Sequence, residues 1–114
     1  MRFDPHGEVV LLVTIGQGDG ETIIGSGRYV VNAPGTAEVA FMVEEDYHGR
    51  GIAGLLLRHL AKVAQSNGIA TFEADVLAEN KPMQRVFARC GWTMQTRREG
   101  DAVHLTLALP AAAA

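Results

Sequence analysis

One cysteine, Cys90, stands in a chain of 114 residues, which excludes an intrachain disulfide and a cysteine-rich metal site. No histidine spacing makes a convincing metal arrangement either, so no metal is expected. No apolar run approaches the roughly 18 residues of a membrane-spanning helix. Met1-Arg2-Phe3-Asp4 opens no secretory n-region and h-region pair, and the cytoplasm is the expected compartment, with no membrane partner. Surplus charge is missing too. A net charge of -3 produces no bulk field that would draw nucleic acid or an anionic bilayer, although Arg50 and Arg58 leave room for a local basic patch. Internal repeats and hinge-like linkers are absent. What is present, 47% hydrophobic and 20% charged residues, fits a single domain over residues 1–114 with one core in two α/β layers.

Val9-Val10-Leu11-Leu12-Val13-Thr14-Ile15 is a short, nearly continuous apolar run and reads as a buried strand. Gly16-Gln17-Gly18-Asp19-Gly20 supplies a permissive hairpin loop. Ile23 and Ile24, then Gly25-Ser26-Gly27, then Arg28-Tyr29-Val30-Val31 read as one strand with a bulge or a close backbone approach at its glycines. After the turn Asn32-Ala33-Pro34-Gly35, residues 36–43 form a third strand, completing an antiparallel meander. A helix is expected from near Gly49 to about Ser66, stopped by Asn67-Gly68, and then a parallel strand over residues 69–77. A second helix follows Glu79-Asn80 with Pro82 in its first turn. Met83, Val86, Phe87 and Cys90 make its apolar stripe, and Gly91 ends it. Residues 92–97 and 103–109 form a terminal hairpin, and the four closing alanines are expected to fray.

The stretch that organises the rest is Val39-Ala40-Phe41-Met42-Val43, the acidic turn Glu44-Glu45-Asp46-Tyr47, and then His48-Gly49-Arg50-Gly51-Ile52-Ala53-Gly54 opening the helix. A glycine inside a helix costs about 1 kcal/mol relative to alanine. Placing Gly51 and Gly54 there calls for a return, either close helix packing or backbone approach to an anion at orphan helix amides. The common nucleotide motifs fail on spacing. Gly49-x-Gly51 is too short for the dinucleotide pattern, and no Gly-Lys-Ser/Thr ending completes a P-loop.

His48-Gly49-Arg50-Gly51-Ile52-Ala53 resembles the Gln/Arg-x-x-Gly-x-Gly/Ala signature of the GNAT superfamily of N-acetyltransferases, with a strand ahead of it and a helix behind. Glu79-Asn80-Lys81-Pro82-Met83-Gln84-Arg85-Val86-Phe87-Ala88-Arg89-Cys90-Gly91-Trp92 resembles a second family segment at the expected distance. Phe3-Asp4-Pro5, Ala37-Glu38-Val39-Ala40-Phe41 and Val76-Leu77-Ala78-Glu79-Asn80 look like the acetyltransferase domain of bacterial protein-lysine acetyltransferases. The resemblance implies a compact or N-terminally truncated GNAT fold: a mixed α/β sheet with antiparallel N-terminal strands, a central strand-helix-strand unit, a second helix and a C-terminal hairpin. That superfamily usually carries a further strand and one or two helices ahead of the segment matching residues 9–15, and there is no room for them before Val9.

The implied activity is transfer of an acetyl group from acetyl-CoA to a primary amine, with a protein lysine among the acceptors. The alternative is a non-catalytic acyl-CoA-binding or regulatory module. By the resemblance, Gly49, Arg50, Gly51, Ile52, Ala53 and Gly54 hold the pyrophosphate, and backbone near Met42 and Val43 pairs with the pantetheine arm. His48 stands where the family has glutamine or arginine, and either touches the ligand or caps the helix. Asn80 lies near the ligand or caps the second helix. Met83 is core or cofactor-facing; Phe87 is core or lines the acetyl pocket, and it lacks the exchangeable proton of the tyrosine many relatives carry there. Glu38 is the candidate catalytic base, set against a solvated strand-edge carboxylate. The carboxylates of Glu44, Glu45 and Asp46 read as a hydrated loop face, Cys90 as core, and His59 and His104 as ordinary polar faces. A homodimer is the expected assembly, covering open sheet surface.

Overall fold

The computed structural model describes residues 7–16 and 18–110; Phe3-Asp4-Pro5 and the alanines at 111–114 lie outside the described residues. Strands β1 (Glu8–Ile15), β2 (Thr22–Ala33) and β3 (Thr36–Val43) form the expected antiparallel meander. Helix α1 (Ile52–Ser66) leads to β4 (Thr71–Leu77), which runs parallel to β3. Helix α2 (Lys81–Ala88) then precedes β5 (Thr93–Glu99) and β6 (Ala102–Ala108). The sheet order is β1-β2-β3-β4-β6-β5, so the terminal hairpin folds back and β6 docks on β4 while β5 forms an edge. This is the mixed α/β sheet expected from the sequence.

Side-chain alternation divides the sheet into two unlike faces. Ala37 and Val39 of β3, Phe72, Ala74 and Val76 of β4, and Leu105 and Leu107 of β6 are buried in one core with Leu57, Leu60, Ala61 and Ala64 of α1 and Phe87 of α2. The opposite face is open. It presents Val10 and Leu12 of β1, half exposed, and Met42 of β3 at 74% exposure.

Helix α1 forms because Leu56, Leu57 and Leu60 all become buried. At roughly 1.5–3 kcal/mol for each fully buried leucine, they outweigh the ~1 kcal/mol that Gly54 costs in the helix interior. The expected start near Gly49 is too early. Gly49 and Gly51 hold φ of 80° and 77°, a left-handed conformation that breaks the helix, and Gly51 is the residue that caps α1. Of the three glycines only Gly54 is helical. The exit matches the sequence, with Asn67 as C-cap and Gly68 at φ 82°. Strand β4 begins at Thr71 instead of Ile69, because the Ile69 amide still donates to Ala64 O at 2.9 Å.

Both expectations for the β2 glycines are met. The β1–β2 register skips a residue between Val13↔Gly25 and Thr14↔Ile23. A Cβ on Gly25 would lie 3.1 Å from Ile52 Cγ2, and one on Gly27 would lie 2.9 Å from Phe41 Cδ1 and 3.1 Å from Leu60 Cδ1. These glycines let α1 settle onto β2, and an added methyl at 27 overpacks the contact at a cost of about 1–3 kcal/mol.

Helix α2 is set by Asn80, whose side chain accepts from the Met83 amide at 3.2 Å, and by Pro82 in the first turn. It ends at Ala88, two residues short of the expected Cys90, and Gly91 at φ 80° turns the chain into β5. Phe87 is buried, its ring 5.9 Å from that of Phe41, while Met83, Val86 and Cys90 pack half-buried against the core.

Candidate functional site

β3 and β4 pair only at Thr36↔Thr71, Ala37↔Phe72 and Glu38↔Glu73. Beyond Glu38, residues 39–43 continue against β2 alone, while residues 74–77 continue against β6. The sheet therefore splits at its centre. Along an antiparallel pair, backbone groups point alternately toward and away from the partner. The Glu44 amide donates to Ile24 O at 2.8 Å, toward β2. The backbone groups of Val43 and Phe41, and the Val39 carbonyl, thus face the split. A buried backbone edge without partners is costly, and an extended ligand carrying amides would complete it as a strand does.

At the open end of that split lies the turn. Residues Glu45–Tyr47 form a short 3-10 turn, followed by the two left-handed glycines and α1. No side chain caps α1, no acidic residue sits in its first turn, and its first hydrogen bond runs from Leu55 N to Gly51 O at 3.0 Å. Among the described residues, the amides of Ile52, Ala53 and Gly54 make no hydrogen bond. They are the orphan donors at the positive end of the helix dipole, the arrangement that favours a phosphate. A Cβ built on Gly49 or Gly51 meets nothing within 4 Å, and one on Gly54 meets only Arg58 Nη1 at 3.7 Å. Packing therefore does not demand glycine at 54. The surface above the first turn is clear for a ligand to approach the backbone.

His48 does not cap the helix. Its Nε2 lies 2.8 Å from Val43 O, so the ring donates to that carbonyl and ties the end of β3 to the turn. With the Val43 carbonyl so engaged, the β3 backbone that faces the split is the Val43 amide, both groups of Phe41 and the Val39 carbonyl. Met42 directs its backbone toward β2 and its side chain to the open face. Arg50 is exposed, with its guanidinium carbon 5.1 Å from the centre of the half-buried Tyr47 ring, a cation–π contact beside the turn. Glu44, Glu45 and Asp46 are all exposed. Asn80 is occupied as the α2 cap, and Phe87 is core. Arg58 is absent from the expected cradle, yet its guanidinium lies over Gly54. The i, i+4 spacing of these two residues was the available signal.

Glu38, Ala40 and Met42 share the open face of β3, and Val39, Phe41 and Val43 the covered one, as strand alternation requires. Glu38 is exposed and stands opposite Glu73 at the last β3–β4 pair, at the apex of the split. A carboxylate is thus held on the solvent side of the place where an inserted ligand would end.

A split central sheet beside a glycine turn with free helix amides has the open edge and the donors that suit an extended, phosphate-bearing ligand. The sequence matches the acetyltransferase (GNAT) family over residues 2–92, and this chain belongs to that family. It is 44% identical over 55 residues to acetyltransferase Pat of Mycolicibacterium smegmatis, which covers 48% of this chain and 16% of that protein. It is 32% identical over 57 residues to the putative phosphinothricin acetyltransferase YwnH of Bacillus subtilis, covering 50% of this chain and 35% of that protein. Among solved structures, the GNAT domain of S. lividans PAT superposes with a TM-score of 0.79 at 36% identity, covering 95% of this chain and 64% of that one. The cAMP-binding acyltransferase from Mycobacterium smegmatis gives 0.77 at 32% identity, over 94% of this chain and 33% of that one. The chain thus spans well under half the length of the curated relatives it matches.

Proposed function

We propose that this chain is an acetyl-CoA-dependent N-acetyltransferase that acts on a primary amine, with lysine of a protein or peptide as the preferred acceptor. The observation that carries this reading is the run of Ile52, Ala53 and Gly54 amides, without hydrogen bonds among the described residues, beside a split where β3 has no partner strand on its β4 side after Glu38. In this reading those amides, with Arg50 and Arg58, take the pyrophosphate. Val43, Phe41 and Val39 take the amide-bearing arm, and the thioester comes to rest at the apex beside Glu38. Similarity to acetyltransferase Pat and to the S. lividans GNAT domain supports acetyl transfer, and the lysine acceptor follows the resemblance of residues 37–41 and 76–80 to bacterial protein-lysine acetyltransferases. Positioning and backbone stabilisation of the thioester oxygen supply most of the rate. Glu38 takes a proton from the nitrogen, directly or through water.

A second reading, an acyl-CoA-binding module without turnover, draws on one observation: Phe87, buried against Phe41, offers no proton to a departing thiolate. Titration with acetyl-CoA, followed by a panel of lysine peptides, polyamines and small amines with mass detection of product, separates the two. Saturable binding with an acetylated lysine peptide is the expected result. Binding with no product from any amine favours the module, and no binding defeats both.

In the same reading, a second copy of the chain covers the β1 edge of the open face, where Val10 and Leu12 are exposed, and leaves Glu38 accessible. Sedimentation over a concentration series is expected to show a monomer–dimer equilibrium. A monomer at every concentration rejects the dimer.

A further inference from the structure

The open face holds a second proton-handling group. His104 of β6 lies opposite Asp75 of β4, with Nδ1 2.8 Å from Asp75 Oδ1 and Nε2 3.7 Å from Glu73 Oε2. The His104 side chain is 22% exposed and that of Glu73 32%, so both groups are largely sheltered and keep some contact with solvent. Since a carboxylate can only accept, Nδ1 carries a proton toward Asp75, and Nε2 is the nitrogen that holds a lone pair when the ring is neutral. Glu73 is in turn the register partner of Glu38 on β3. Glu38, Glu73 and the His104–Asp75 pair thus run side by side across three strands on one face, starting at the apex of the split.

We infer that His104 Nε2 receives the proton that an ammonium acceptor must lose before it attacks, with Asp75 as the residue that positions the ring. This rests on the acetyltransferase reading above. A cationic amine beside Glu38 and Glu73 is held as a cation, because neighbouring carboxylates favour its charged form. With Nε2 unprotonated, the imidazole takes that proton at little electrostatic cost, because Glu73 and Asp75 favour its charged form as they favour that of the amine. The imidazolium that forms is flanked by Asp75 and Glu73, so positive charge moves from the amine to a position already prepared for it. The charged group facing His104 from the other side is Arg97 of β5, whose Nε donates to Glu99 at 2.7 Å.

The proton balance assigns the two bases different steps. The ammonium gives one proton to Nε2, and the neutral nitrogen bonds to the thioester carbon. As that adduct collapses, the nitrogen gives a second proton to Glu38, the carbon–sulfur bond breaks, and sulfur leaves with the electron pair. One of the two protons ends on the thiolate and the other in solvent.

The division can be tested with paired acceptors, one a lysine-type amine that is cationic at the assay pH and one a weakly basic amine that is already neutral there. His104→Gln is expected to lower kcat/KM on the cationic amine about a hundredfold and on the neutral amine by less than threefold. It is also expected to leave acetyl-CoA affinity unchanged. Asp75→Asn should reproduce the selective loss in weaker form. Equal losses on both amines, or none on either, overturn the role of His104 while the acetyltransferase reading stands. Wild-type protein that turns over neither amine overturns both.

Discussion

Glu38→Gln is expected to reduce acceptor-dependent release of CoA thiol by about a hundredfold to a thousandfold while acetyl-CoA affinity changes by less than twofold. Glutamine keeps the shape and hydrogen-bonding reach of glutamate but cannot hold a proton at any working pH. Losing a positioned general base typically costs 10²–10⁴ in rate. Binding is spared because the proposed pyrophosphate contacts come from residues 49–54 and the arm contacts from β3 backbone. Folding should be spared too. Glu38 is exposed and stands opposite another carboxylate, Glu73, so neutralising it relieves a like-charge cross-strand pair and leaves stability equal or slightly higher. Initial rates by thiol detection, with melting curves and an acetyl-CoA titration on the same preparations, check all three quantities. A variant retaining a third or more of the wild-type rate removes Glu38 from the mechanism.

What the sequence made legible follows from how far apart in the chain each determinant lies. The strands of the meander, the Asn67-Gly68 stop of α1 and the Asn80-x-Pro82 entry to α2 are written in adjacent residues, and the structure has them within a residue or two. The glycine turn could be read as a candidate anion site, but its mechanics could not. Gly49 and Gly51 looked like an expense inside a helix, whereas their positive φ places them ahead of it and leaves only Gly54 exposed to that cost. The split between β3 and β4 could not be read at all. Residues 39–43 and 74–77 have ordinary strand patterns, and only the register reveals that they part after Glu38↔Glu73. His104 is the same kind of case. Taken alone it is a polar residue on an alternating strand, and its bond to Asp75 spans 29 positions and depends on the hairpin folding back to put β6 beside β4. Local patterning decides elements and their caps; the site is assembled by pairings that no local window contains.

That distinction makes Gly54→Asp the more searching test of the cradle, because stability and binding should move in opposite directions. Gly54 is the third residue of α1, its added Cβ would meet only Arg58 Nη1 at 3.7 Å, and no acidic side chain occupies this first turn. Replacing glycine with aspartate in a helix recovers a few tenths of a kcal/mol. A carboxylate at a helix N-terminus gains about 0.3–1 kcal/mol from the dipole, and an i, i+4 pair with Arg58 adds about 0.2–0.5 kcal/mol. The variant should therefore melt a few degrees above the wild type. The same carboxylate would fill the surface left clear over the orphan amides and present a negative charge to an incoming diphosphate. At about 5 Å and an effective dielectric near 20, one such pair of unit charges repels by roughly 3 kcal/mol, about a hundredfold in Kd. Isothermal titration with acetyl-CoA and with CoA should show that loss for both, since they share the diphosphate. Gly54→Asn, neutral and of the same size, should lose far less. A helix built only for packing predicts the stability gain alone. Unchanged affinity in the aspartate variant would move the anion away from this turn and end the reading of residues 49–54 as its binding site.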